Sequence, residues 1–155
     1  MNDAFRRQLA ARKRESTLQL LFKAARLANE RAVAHVRATR PRSANLRTAH
    51  TALFPHIDLE GTRLTELARR VGTSKQAVAQ LVDELEAMGA LEKHPDPEDG
   101  RAKRIRFSEA GQHALLDGLE ALEEVEAELT RHIGERRMLS LWGALTKLLE
   151  ALEEE

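Results

Sequence analysis

The chain has 155 residues, 32% of them Asp, Glu, Lys or Arg and 3% aromatic, with a formal net charge of zero; this suits one helix-rich domain, or a small domain with helical arms, and few sheets. It has no cysteine, which excludes disulfides, thiolate metal sites, cysteine nucleophiles and thiol redox sensing together. The start, Met1-Asn2-Asp3-Ala4-Phe5-Arg6-Arg7, lacks an apolar targeting core, and no stretch approaches the roughly 18 apolar residues of a spanning helix, so a soluble, cytoplasmic protein is expected.

The neutral total hides an asymmetry. Residues 1–50 hold twelve Lys/Arg against three Asp/Glu, whereas residues 107–155 hold four against twelve. Ends of opposite sign attract if they pack together, within one subunit or between two, although screened surface pairs add little individually.

In chain order, a helix is expected from Arg14 to about Arg37, with Leu20, Leu21, Ala24, Leu27, Ala28 and Ala34 on one side, ended by Pro41. A second, about Ala44 to Phe54, closes at Pro55, and a loop leads to a short extended piece at Thr62 to Leu64. Thr65 is placed to cap a helix carrying Leu67, Ala68 and Val71, and Gly72 stops it. After a tight turn Ser74 caps a further helix, whose stripe Val78, Leu81, Val82, Leu85 and Met88 ends at Gly89. Leu91 to His94 reads as a strand, Pro95 to Gly100 as a turn and Arg101 to Phe107 as the returning strand. Ser108 then caps a long helix striped by Leu115, Leu119, Leu122, Val125, Leu129 and Ile133, broken at Gly134. The final helix carries Met138, Leu141, Trp142, Leu145, Leu148, Leu149 and Leu152 at steps of three and four, a stripe wide enough to require a partner.

Helix, glycine turn, capped helix and charged hairpin is the order of a winged helix-turn-helix, in which the second helix enters the major groove and the wing reaches the minor groove. With Val78 to Leu85 buried, Gln76 and Gln80 face outward, next to Ser74 and Lys75 at the exposed N-terminus, and no acid precedes Asp83. That end is expected to meet DNA, with the helix dipole aiding it. Glutamine pairs two-fold with adenine, and Ala77 or Ala79 can touch a thymine methyl, so a preference for A·T pairs is expected. Lys75, Lys103 and Arg104 are candidate phosphate contacts. In the wing, Asp99 is expected to hold the turn and orient Arg101 towards a narrow minor groove, while Asp96, Glu98 and Asp99 oppose phosphate unless paired or turned away.

The run from Leu64 to Val78, Leu-Thr-Glu-Leu-Ala-Arg-Arg-Val-Gly-Thr-Ser-Lys-Gln-Ala-Val, continued by Leu81 to Gly89, closely resembles the MarR family of bacterial transcriptional regulators. The hairpin, with Asp99-Gly100-Arg101 followed by Ser108-Glu109-Ala110-Gly111, is similar to that family's Asp-x-Arg wing and Thr/Ser-x-x-Gly helix start. The resemblance is specific over Gly61 to Gln112. Gly100 stands where many relatives carry a basic residue, and the neutral charge also departs from the pattern. The resemblance implies a mainly α (α+β) fold of six helices around a three-stranded wing sheet, with N- and C-terminal helices interlocked across a two-fold axis. Residues 1–43 are then an N-terminal dimerisation helix, 44–110 the DNA-binding domain and 111–155 the C-terminal dimerisation helices. It also implies a repressor acting as a homodimer on near-palindromic double-stranded DNA, and a small aromatic or anionic effector; Arg47, His50 and Phe54 are candidates to hold one.

The alternatives are a winged-helix protein-interaction module without DNA binding and a metal-responsive regulator. Against the latter, no two of the six histidines lie at i, i+3 or i, i+4, and His50 and His56 straddle Pro55. No cofactor or enzyme activity is expected: Ser108, His113 and Asp117 cannot converge from one helix. A membrane-surface role fails on the charge of Glu150, Glu153, Glu154 and Glu155.

Overall fold

The structure, a computed structural model, describes residues 2–154, with every side chain except that of Arg42; Met1 and Glu155, named above, lie outside them. Its helices are α1 (Asp3–Glu15), α2 (Thr17–Thr39), α3 (Thr48–Thr51), α4 (Leu64–Val71), α5 (Lys75–Ala87), α6 (Glu109–Ile133) and α7 (Glu135–Glu153), and its strands are β1 (Thr62–Arg63), β2 (Leu91–Pro95) and β3 (Lys103–Phe107). No helix among the described residues is long and apolar enough to cross a membrane.

Three expectations for local structure need correcting. The helix expected from Arg14 starts instead at Thr17, because Ser16 is extended (φ −81°, ψ 112°) and its Oγ accepts the Gln19 N–H to start α2. α1, which no apolar stripe announces, brings the helices among the described residues to seven where six were implied. The helix expected over Ala44 to Phe54 shrinks to the single turn α3 between 3₁₀ turns at Pro41–Ser43 and Phe54–His56. Arg47 is extended (φ −122°, ψ 157°), and its backbone N–H donates to His50 Nδ1 at 3.1 Å instead of joining a helical ladder. Thr65 does not cap α4, which starts at Leu64 straight out of β1 with Arg63 in the cap position.

The glycine stops and the second helix of the helix-turn-helix follow their expected limits. Gly72 (φ +72°) ends α4 with Thr73 N–H donating to Ala68 O and Gly72 N–H to Arg69 O, and Gly89 (φ +74°) ends α5 through the same pair of bonds. Both glycines sit in the left-handed region that a Cβ disfavours. Val78 and Val82 of α5 and Leu67 of α4 are fully buried, and Leu53, Ile57, Leu85, Leu91, Ile105 and Phe107 complete the core. The sheet order is β1-β3-β2, all antiparallel, with Thr62 opposite Ile105 and Leu91 opposite Phe107. The alternation in β3 therefore turns Ile105 and Phe107 into the core, while Lys103, on the same face, is exposed at the tip end of the strand.

α6 is fastened to this core at its first turn. Ser108 Oγ accepts the Gly111 N–H at 2.9 Å and donates to Gly89 O at 2.5 Å, while the Ser108 N–H donates to Ala90 O. A Cβ on Gly111 would lie 1.9 Å from Ala90 O, so the Ser-x-x-Gly spacing is a requirement of close packing. Farther along, Ala121 and Val125 pack with Ala32, Val33 and Val36 of α2, flanked by the pairs Arg31–Glu128, His35–Glu124 and Arg40–Glu120. The basic and acidic ends of the sequence thus meet within one chain, antiparallel. α1 and α7 contribute no buried residue.

Candidate nucleic-acid interface

The reading end of α5 is set by Ser74, which is extended (φ −70°, ψ 147°) and accepts the Ala77 N–H on Oγ at 3.2 Å. That bond satisfies one of the four free N–H groups of the first turn and leaves the rest directed outward. Lys75, Gln76, Ala77 and Gln80 are exposed, whereas Ala79 is half-buried; Ala77 is the more open of the two candidate methyl groups. No acid lies in this half of the helix.

The acids that follow are occupied. Asp83 and Glu86 hold Lys93 Nζ of β2 at 2.5 and 2.6 Å, and these contacts raise the lysine pKa. Glu84 accepts from His50 Nε2 at 2.8 Å, from the Arg47 guanidinium, and from Gln80 Nε2 at 3.2 Å. The His50 hydrogen bond, followed by that of Arg47, keeps the Glu84 carboxyl below its ordinary pKa. Negative charge in the second half of α5 is thereby neutralised by groups outside the helix.

The wing is built on a second such cluster. Asp96, fully buried, accepts from Arg63 Nε at 2.6 Å and Nη2 at 3.1 Å, from Arg104 Nε at 3.0 Å, and from the backbone N–H groups of Glu98 (2.8 Å) and Asp99 (3.3 Å). These donors, Arg63 first, hold its carboxyl far below the usual carboxylate range. Glu98 pairs with Arg63 at 3.1 Å and reaches Arg104 at 3.7 Å. At the tip, Asp99 Oδ1 accepts the Arg101 N–H at 3.0 Å, so this carboxylate does close the turn. Arg101 and Lys103 are exposed, and among the described residues they and Lys75 have no carboxylate in ion-pair range.

Beside the turn of the helix-turn-helix, Glu66 accepts from Arg69 and Arg70 at 2.6–2.9 Å, which lowers its pKa to about 2. Arg70 is further tied to Asp58 at 2.8 Å.

Of the residues named from sequence, Ser74, Lys75, Gln76 and Gln80 lie together on the open face of α5, and Asp99, Arg101 and Lys103 lie at the wing tip. Arg104 does not join them: half-buried, it spends its guanidinium on Asp96 and Glu98. The three effector candidates are also engaged by protein groups. His50 is 1% exposed with both ring nitrogens bonded, Arg47 holds Glu84, and the Phe54 ring packs edge-on against Phe107 at 5.9 Å. Sequence reasoning missed Arg63, whose partner Asp96 is 33 positions away. The excess of acids at the hairpin was the signal for it.

A helix-turn-helix with an extended, cation-tipped hairpin is a winged-helix fold of the nucleic-acid-binding class. Residues 49–102 match the MarR family model. An uncharacterised HTH-type transcriptional regulator of Bacillus subtilis, YcgE, is 30% identical over 90 residues, which span 58% of each chain. The fold matches wild-type apo MarR from E. coli with a TM-score of 0.73 at 16% identity, covering 86% of this chain and 96% of that one. It also matches the transcriptional repressor CouR bound to a 23-mer DNA duplex, with a TM-score of 0.64 at 20% identity over 87% and 93% of the two chains.

Proposed function

We propose that the protein is a transcriptional regulator that binds duplex DNA as a homodimer. The N-terminal half of α5 enters the major groove and the wing tip reaches the adjacent minor groove. The observation that carries this reading is the distribution of free charge. Lys75, Arg101 and Lys103 stand free at the exposed points, while Asp83, Glu84, Glu86, Asp96 and Glu98 are each held by a cation of the protein's own. Gln76 and Gln80 are the candidate base readers and favour A·T pairs; Ser74 and Lys75 are assigned to the backbone at the helix start.

Dimerisation rests on the arms. Among the described residues, fourteen of the fifteen exposed large apolar side chains lie on α1, α2, α6 and α7. A C₂ pairing of these arms covers them and sets two reading helices roughly 34 Å apart, which requires a near-palindromic operator. With segment 44–110 as the DNA-binding unit between flanking dimerisation helices, occupation of a promoter by such a dimer blocks transcription, so the reading is a repressor. An anionic or aromatic effector that drew Arg47 and His50 away from Glu84 would disturb α5 and relieve it; Phe54 is the aromatic beside them.

Selection of bound genomic fragments, followed by anisotropy titration at two salt concentrations with sedimentation in parallel, tests the proposal. The expected result is a two-fold symmetric site bound by a dimer. A monomer in solution that binds no duplex at low salt overturns it.

A further inference from the structure

Gln76, Gln80 and Glu84 follow one another at i, i+4 and i+8 along α5. A side-chain amide has two faces of opposite hydrogen-bonding sense, and a glutamine free to rotate offers either to a base edge. Gln80 is not free. Its Nε2 donates to Glu84 Oε1 at 3.2 Å, and an ionised carboxylate only accepts, so the amide cannot turn its carbonyl to that side without placing two acceptors together. Glu84 is fixed in turn. His50 Nδ1 accepts the Arg47 N–H, which puts the ring proton on Nε2, and Nε2 donates to Glu84 Oε2 at 2.8 Å. The Arg47 guanidinium donates to the same oxygen. Because the imidazole is 1% exposed, its ring has no room to reorient.

We propose that Arg47, His50 and Glu84 form a relay that sets the direction of the Gln80 amide and so determines which base it accepts. With one amide N–H committed to Glu84, Gln80 presents its carbonyl and its second N–H outward. That edge complements adenine, whose N6 donates and N7 accepts, and it opposes guanine, whose O6 and N7 both accept. The three residues act through Gln80 and are positioning residues. Thr51 Oγ1 on the same short helix donates to Asn29 Oδ1 of α2 at 3.0 Å, so the relay is anchored on the arm as well as on the lobe.

The inference rests on the proposed DNA-binding reading, and the test separates the two. Binding of the wild type, Glu84→Gln, Gln80→Ala and the double variant is measured by anisotropy against the selected operator and duplexes substituted at each half-site position. Thermal midpoints are recorded alongside. Glu84→Gln keeps the side-chain shape but lets residue 84 donate or accept, so the Gln80 amide turns freely. The expected result is a loss of about tenfold in A·T over G·C discrimination at the one position whose preference Gln80→Ala also removes. The other positions keep theirs, and the double variant matches Gln80→Ala. Arg47→Ala, at a side chain 52% exposed, repeats the test if Glu84→Gln lowers the midpoint, and it gives the same position-specific loss in smaller measure. Retained preference in Glu84→Gln, an equal loss at every position, or additivity in the double variant overturns the relay while leaving DNA binding in place. A preference unchanged in Gln80→Ala overturns it too. A wild-type chain that binds no duplex removes both readings.

Discussion

The winged lobe and the helical arms solve the burial problem differently. Between Leu53 and Phe107 the chain closes a core in which seven apolar side chains are 2% exposed or less; from α7 not one residue is buried, and Trp142 is 66% exposed. Both regions carry regular apolar stripes. The lobe folds its stripes against each other through two glycine stops and a sheet, whereas a straight helix such as α7 has no way to turn its stripe inward. Periodicity shows how much surface must be covered, and chain reversals decide whether one copy can cover it.

The largest effect that tests this contrast is expected from Leu141→Glu combined with Leu149→Glu on α7. Sedimentation should give a monomer, and operator affinity should fall more than about a hundredfold through loss of bivalency, with the lobe still folded. Simultaneous melting of the lobe would show that the two regions are one cooperative unit. Next, Leu67→Ala in the lobe should cost about 3 kcal/mol by denaturant titration. Gly111→Ala should cost about 1–3 kcal/mol, since the backbone at Ala90 must give way. Leu139→Ala on α7, in contrast, should leave monomer stability within about 0.5 kcal/mol. Within the lobe, Arg101→Ala should weaken operator binding about tenfold and reduce the salt slope by about one. Arg104→Ala should instead act by loosening the wing, seen as faster amide exchange at Glu98 and Asp99.

The smallest effect is expected from pH. The Asp96 carboxyl is held below its ordinary value by Arg63, by the Glu98 N–H and by Arg104, so it contributes stability that is complete above about pH 4. That contribution declines as the pH falls towards the native pKa. Amide exchange of Glu98 corrected for intrinsic rate should stay protected at neutral pH and open in stronger acid, and Asp96→Asn should open it at neutral pH. Protection unchanged in that variant would show that the turn holds itself.

The turn and second helix of the helix-turn-helix were legible in the sequence to within a residue, because the Ser74 cap, the glycine stops and the apolar periods agree there, whereas the start of α4 was misplaced onto Thr65. α1 was not legible, since Phe5 and Leu9 are its only large apolar residues among Arg, Lys, Gln and Ala, too few to make a stripe. The stretch from Ala44 to Phe54 has helical spacing, yet the Arg47 backbone N–H donates to His50 Nδ1 with Arg47 extended, which overrides it. The cationic tips Lys75, Arg101 and Lys103 could be named from their positions in the hairpin and the helix start. The commitment of Arg104 to Asp96, and of Arg47 and His50 to Glu84, depends on pairs brought together by the fold. Local periodicity does not encode such pairs.

The seat of Gly111 against Ala90 has a mechanical consequence. It pins the root of a 25-residue helix to the end of the reading helix with no side chain between them, so α6 works as a crank. At 1.5 Å per residue the crank is about 36 Å long, and a tilt of about 5° displaces its far end by about 3 Å, close to the rise of one base pair. In the proposed dimer, small rearrangements where two subunits meet would become a change of register on the double helix, and the bulkless hinge would transmit them without slack.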